Sequence, residues 1–434
     1  IYGGSVSAIL INTPGTPAAA ATLIEGHELA KKGQAGKALF MATFASLCGG
    51  LFSAVCLTFI APQLALVALN FSSPEYFGLA LFGLSIIASI SGDQVLKGVI
   101  AGFVGLLLAM IGMDPITGFP RFTFGSDNFL SGISFIPVLI GLFAVSEAFA
   151  SAEGLLDKAE IKVKIDKLIP SWQEIKSCMK AIAKGSVIGT FIGIIPAAGA
   201  DIAAFVSYGE AKRSSKFRDD YGTGVLEGVA APESANNGVT GGAMIPLLTL
   251  GIPGDAVAAV MLGALMLQGL RPGPMLFKEN GDVIAALFMG FFVANILMAI
   301  IGLSCLRFFT KVIQVPKPIL VPIIFLLCVV GSYAMDGRIF DIWVMLFFGV
   351  IGYLMKKLLF PISPVVLALI LGPMAERELR TSLVLSEGAY SIFLSRPIAL
   401  VFILLAIASI VGSLIMQQRK KSKAAENIEP TCNL

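Results

Sequence analysis

The run at residues 228–273, GVAAPESANNGVTGGAMIPLLTLGIPGDAVAAVMLGALMLQGLRPG, limits what this chain can fold into more than any other stretch. A helix needs about 20 apolar residues to cross a bilayer, and this run is broken at Pro253-Gly254 after the polar cluster Pro232-Glu233-Ser234-Ala235-Asn236-Asn237. The pieces on either side are each too short to span alone, which predicts one discontinuous helix. A break at membrane depth frees backbone N–H and C=O groups, and it survives only where protein or a wet cavity gives them partners. Asp255 then falls at the start of the second half-helix, where the free N–H groups and the dipole favour a carboxylate or a bound anion. Half-helix ends of this kind build ligand sites inside membrane transporters.

The same device opens the chain. Gly3-Gly4, SVSAILIN and Thr13-Pro14-Gly15-Thr16 match Gly241-Gly242, AMIPLLTLGI and Pro253-Gly254-Asp255 with one residue of difference in spacing. A third relative, Gly189 through Pro196, Gly199 and Asp201, precedes the central run. Charged residues make up 14% of the chain, against about 25% in soluble domains, and the mean hydropathy is +0.87. The expected fold class is therefore an all-α polytopic membrane protein, built as inverted repeats with discontinuous helices and re-entrant hairpins in about 10 to 12 membrane segments.

The organisation expected is a first membrane repeat at 1–150, a lysine-bearing cytoplasmic connector at 151–184, a second repeat with a final helix at 185–416, and a cytoplasmic tail at 417–434. EGHELAKKGQAGK at 25–37 reads as a polar loop, with His27 solvated in it. Ile1 stands inside a patterned segment, so earlier residues are expected to precede it. Placing the lysine-rich loops inside makes the span after the first break run outward and the span after the second run inward. The net charge of +3 is small and scattered over loops, which excludes nucleic acid as an implied partner; membrane lipid is the expected surroundings. The six cysteines have no ligand spacing and, with one histidine in the chain, no resident metal site is expected.

The candidate substrate- or ion-binding residues are those nearest the breaks. They are Ser5, Asn12, Thr13, Pro14, Gly15 and Thr16; Pro196, Gly199 and Asp201; and Pro232, Glu233, Ser234, Asn236, Asn237, Thr249, Pro253, Gly254 and Asp255. Capping of half-helices is the alternative role for the polar ones. Glu233 reads equally as a coupling-ion ligand or as a group solvated at the membrane edge, and Asp201 as a functional carboxylate or an N-cap.

YGGSVSAILINTPGTP at 2–17, the run at 189–201, and above all EGVAAPESANNGVTGGAMIPLLTLGIPGD at 227–255 with GLRPGP at 269–274 resemble the large membrane subunit of bacterial tripartite tricarboxylate transporters. The resemblance covers nearly the whole chain. It implies a bacterial inner-membrane symporter that takes up small organic anions, citrate or another di- or tricarboxylate, driven by an Na+ or H+ gradient and without an organic cofactor. It also implies a periplasmic solute-binding protein and a small membrane subunit as partners. Carried over by motif, it points to Asn12, Pro14, Gly15, Pro196, Gly199, the block from Pro232 to Asn237, Pro253 and Gly254. Ala197, Gly238 and Glu25 depart from the family's common residues. The rival readings are an intramembrane aspartyl hydrolase, pairing Asp201 with Asp93 or Asp255, and a non-transporting scaffold subunit; the first lacks a GxGD motif.

Overall fold

The computed structural model describes residues 1–12, 14–90, 94–114, 116–153, 169–195, 199–305 and 317–426. These are almost wholly helical; the one sheet among them is a ladder of β1 (Gly112–Met113) with β2 (Pro120–Arg121). Among the described residues, five helices are long and apolar enough to cross a membrane: Ala35–Ala68, Phe135–Glu153, Trp172–Ile194, Gly281–Ser304 and Ile339–Lys357. The chain is an all-α membrane protein.

In chain order, α1 (Gly3–Ile11), α2 (Ala19–Lys31), α3 (Ala35–Ala68), α4 (Ser73–Ile90) and α5 (Val95–Ala109) precede the ladder. After it come α6 (Phe135–Glu153), α7 (Trp172–Ile194), α8 (Gly199–Ser214), α9 (Glu227–Leu250), α10 (Ala256–Leu267), α11 (Pro274–Glu279) and α12 (Gly281–Ser304). The chain closes with α13 (Lys317–Asp336), α14 (Ile339–Lys357), α15 (Ser363–Leu385), α16 (Ile392–Ser395) and α17 (Pro397–Glu426). They form two compact units, one of residues 1–69 with 157–316 and one of residues 70–156 with 317–434.

The first unit is organised around α9, in which every residue from Gly228 to Thr249 except Thr240 is buried. The polar cluster at 232–237 therefore lies inside this helix and not ahead of it, and Glu233 is fully buried rather than solvated at an edge. Helix α9 has 24 residues, about 36 Å at 1.5 Å per residue, so it is not too short to span; its polar content hides that length from hydropathy. Neighbours approach it through glycine. A Cβ on Gly185, Gly189 or Gly193 of α7 would stand 2.6, 2.1 or 2.7 Å from the carbonyl oxygens of Ala231, Ala235 and Val239. A Cβ on Gly49 of α3 would stand 2.0 Å from that of Ser234. Spacing small residues four apart lets helix backbones meet, which is how helices associate where lipid removes the hydrophobic driving force.

Residue pairs fix the sense of each helix in this unit. Thr22 meets Glu233 and Glu25 meets Gly228, so α2 runs against α9. Gly4 meets Gly15 and Thr16 while Ile9 meets Gly26 and His27, so α1 runs alongside α2 in the same sense. Gly50 meets Asn295 and Thr43 meets Gly302, so α3 and α12 are antiparallel. The stretch at 25–37 is not a loop: α2 and α3 occupy most of it, and His27 turns its Nδ1 to the Ile9 carbonyl at 3.2 Å. Residues 172–184, read as the end of a solvated connector, are the first half of α7, started by a capping box in which Ser171 and Glu174 exchange bonds.

In the second unit, α4 packs on α15 and α17, α5 on α15, and α14 on α6 and α13. Residues 140–145 of α6 form a π-helical turn. The ladder loop is tied to α15 by ions: Arg121 makes two bonds to Glu376, at 2.5 and 3.1 Å, and Arg380 reaches Asp114 at 2.5 Å. Backbone N–H groups of Thr117 and Ile116, then the Arg380 guanidinium, hold the Asp114 carboxyl well below the usual carboxylate range.

Candidate functional site

Both Pro-Gly breaks make the same local shape. After α1, Asn12 takes the left-handed conformation (φ 53°, ψ 30°) that ends a helix at low cost for asparagine. The chain then returns to the first turn of α1, where Gly15 N–H donates to the Gly4 carbonyl at 3.2 Å. A Cβ on Gly15 would stand 2.8 Å from Gly4 Cα. After α9, Gly251 takes the left-handed conformation (φ 71°) and the chain returns two turns, so that a Cβ on Gly254 would stand 2.8 Å from Ala243 Cβ. Each second helix thus starts beside its predecessor, not in line with it as a simple interrupted helix would. Because α1 and α2 run against α9, the two returns point in opposite senses.

The helices that follow the breaks begin close together. Ala18 and Ala21 at the start of α2 pack with Ala200 and Ala204 at the start of α8. The charge of Asp201, in the first turn of α8, bears on Asp255, the N-cap of α10. Gly254, just before α10, also packs on the Gly193 carbonyl at the end of α7. Three helix N-termini, each the positive end of its helix dipole, therefore share one region; at α2 the N–H groups of Ala19, Ala20 and Ala21 bond to the carbonyls of Thr16, Pro17 and Ala18. Asn12, Pro14, Gly15 and Asp201 are exposed there, and Thr16 and Asp255 half-buried. Two polar groups cap: Thr16 Oγ1 accepts from Ala19 N–H at 3.4 Å and Asp255 Oδ1 from Ala258 N–H at 2.7 Å. Pro253 and Gly254 are buried beneath this region, whereas Thr13 and Pro196 lie outside the described residues.

A second group, wholly buried, gathers around Glu233. Its Oε1 accepts from Ser5 Oγ at 2.5 Å and from Thr22 Oγ1, and its Oε2 from Ser46 Oγ at 3.1 Å. Asn237 Nδ2 donates to Ser46 Oγ at 2.7 Å and to the Glu233 carbonyl at 3.2 Å. Tyr2 and Thr43 share a hydroxyl bond of 2.7 Å, and Thr43 lies three residues before Ser46 on α3. The candidates Ser5, Glu233 and Asn237 are thus brought together, while the hydroxyls of Ser234 and Thr249 donate to carbonyls of their own helix, Ala231 and Ile245. Pro232 lies a residue away in the same buried helix. Asn236 is 1% exposed, and neither its Nδ2 nor its Oδ1 has a hydrogen-bond partner among the described residues.

Sequence reasoning missed Thr22, Ser46 and Glu25. Thr43, Ser46, Gly50 and Ser53 recur at helical spacing in an otherwise apolar run, a stripe that marks the polar face of α3. Glu25 is fully buried and accepts from Tyr208 Oη at 2.9 Å and from the N–H groups of Gly222, Gly224 and Val225 at 2.5, 2.7 and 2.8 Å. That is an anion nest, whose Gly222 and Gly224 adopt φ of 100° and 102°. For the hydrolase reading, Asp255 is engaged as a cap and no hydrogen bond joins it to Asp201 among the described residues, while Asp93 lies outside them.

Comparison with known proteins bears on the same segments. The profile of the "Tripartite tricarboxylate transporter TctA family" matches residues 1–367. The chain is 35% identical over 423 residues, 97% of its own length and 84% of the relative's, to an uncharacterised 52.8 kDa protein in the TAR-I ttuC′ 3′ region of Agrobacterium vitis. It is 33% identical over 233 residues to an uncharacterised protein in the TAR-II ttuC′ 3′ region of the same organism, covering 54% of this chain and 96% of that protein. No solved structure matches.

Proposed function

We propose, on the premise that the chain belongs to the tripartite tricarboxylate transporter TctA family, that it is the membrane subunit that moves a small di- or tricarboxylate such as citrate by alternating access. In this reading the substrate reaches it from a periplasmic solute-binding protein, a small membrane subunit completes the assembly in the bacterial inner membrane, and an Na+ or H+ gradient drives uptake. The two breaks would be the matching parts of an inverted repeat. Their identical returns in opposite senses, and the antiparallel α3 and α12, support that reading.

The observation that carries the proposal is the meeting of the N-termini of α2, α8 and α10 beside Asn12, Thr16, Asp201 and Asp255. A polycarboxylate needs several separate points of positive potential without a bulk of fixed cations. Helix N-termini give that through their dipoles. Side-chain amides and hydroxyls at the breaks would then select geometry, and the carboxylates Asp201, Asp255 and Glu233 are available to a coupling ion. Asn12→Asp tests the site: it keeps a residue that accepts the left-handed conformation and adds a negative charge where a substrate carboxylate would stand. Citrate uptake into proteoliposomes should show KM raised at least about tenfold, one decade being 1.4 kcal/mol. An unchanged KM removes this region from the site.

A further inference from the structure

Glu233 is a fully buried carboxylate whose hydrogen-bond partners are all neutral: the hydroxyls of Ser5, Thr22 and Ser46. Those hydroxyls come from three helices, α1, α2 and α3. One carboxylate on α9 therefore joins the elements of the first break to the helix that leads into the second. No Lys, Arg or His pairs with it among the described residues. Among the described residues, the other ionisable side chains around it are the Tyr2 phenol, bonded to Thr43, and Glu25, one turn along α2 from Thr22 and held by its own donors. An isolated carboxylate charge is costly at such depth and marks a group with work to do.

Geometry favours a proton over a metal cation as its cargo. Only hydroxyls of Ser5, Thr22 and Ser46 donate to its carboxylate oxygens, and no cluster of three or more carboxylates, histidines or cysteines gathers around it among the described residues, whereas a hard cation is held by several oxygens, commonly with more than one carboxylate. Ser46 Oγ also receives a hydrogen from Asn237. A serine hydroxyl can donate to a carboxylate or accept from a carboxylic acid, so the joint stays bonded with or without the extra proton.

We propose that Glu233 carries the coupling proton, and that its loading and release loosen and tighten the joint between the two breaks. The inference rests on the uptake reading above. The step is an association alone: the carboxylate takes H+ at Oε2, one O–H bond forms, and the new hydroxyl donates to Ser46 Oγ. Release reverses it. An acid accepts fewer hydrogen bonds than a carboxylate, so the hold on Ser5 and Thr22 weakens when the proton is bound.

The test uses proteoliposomes with the full-length subunit and its small partner subunit, a pH-sensitive dye inside, and citrate as the probe. Wild type should acidify the lumen as citrate enters. Glu233→Gln should lose that citrate-linked acidification at least about tenfold, and Glu233→Asp should keep it with a displaced pH midpoint. Ser46→Ala removes a donor that favours the ionised form, so its midpoint should move to higher pH; this arm decides the matter if Glu233→Gln fails to fold. Acidification that survives in Glu233→Gln, or a Ser46→Ala midpoint equal to wild type, would overturn the proposal. Citrate accumulation under a sodium gradient without acidification would defeat the proton assignment alone, and a wild type that moves no citrate would defeat the uptake reading.

Discussion

At Asn236 an amide with two hydrogen-bonding ends is shut inside α9 with neither satisfied by the described residues. A buried polar group left unpaired costs about 1–3 kcal/mol, and its retention points to a partner gained in another step of the cycle. Asn236→Leu, close in volume, should therefore leave thermal stability equal or raise it, while citrate uptake falls at least about tenfold. A loss of stability with uptake intact would show that the amide has a structural partner instead. Glu25 makes the opposite case, since its carboxylate already fills a nest of three N–H groups and a phenol. Glu25→Gln should cost about 2 kcal/mol and make the chain near Gly222 and Gly224 easier to cleave by limited proteolysis. Asp114 gives a pH test. Its folded pKa is depressed, chiefly by the backbone N–H groups of Thr117 and Ile116, so its stabilisation is complete above the unfolded value of about 4 and is lost as pH falls toward the folded one. Melting curves should show wild type losing more stability than Asp114→Asn below about pH 4, and curves that fall in parallel would exclude the effect.

The helices show which parts of the fold could be read in the sequence. Helices α3, α6, α12 and α14 coincide with long apolar runs and are legible from hydropathy and length alone, because those suffice where lipid is the neighbour. Helix α9 escaped such a reading: polar residues that protein covers look like a loop when hydropathy is the only guide. The same holds for α2, whose Glu25 is buried against Tyr208 and the N–H groups of 222–225 and whose His27 bonds to the Ile9 carbonyl. Gly185, Gly189 and Gly193 stand at intervals of four, and only the packed structure shows that they are where α7 approaches α9. A Cβ on Gly189 would come 2.1 Å from the Ala235 carbonyl oxygen, a clash that only movement of α7 against α9 can relieve. Gly189→Ala should lower stability by about 1–3 kcal/mol, read as an earlier thermal transition in detergent; an unchanged transition would mean that the two helices do not meet at this point.

The chain assembles each compact unit from two separated stretches, and that pairing could not be read from order along the sequence. Ser5, Glu233 and Asn237 were singled out by their nearness to the breaks, and the fold brings them to one place; Thr22, a single hydroxyl in its run, and Ser46, one of the small polar stripe on α3, join them once α2 and α3 pack on α9. In the same way the starts of α2, α8 and α10 are distant in sequence and meet only because the chain doubles back at both breaks. The account stands on gradient-driven uptake through this arrangement. The measurement that tests it most directly is accumulation of labelled citrate in proteoliposomes holding the subunit and its small partner, with and without the solute-binding protein, under imposed sodium or proton gradients. It predicts accumulation above the external concentration only when the binding protein and one gradient are both present; equilibration at the external level under every gradient, or no entry of any di- or tricarboxylate into vesicles with a folded complex, would contradict it.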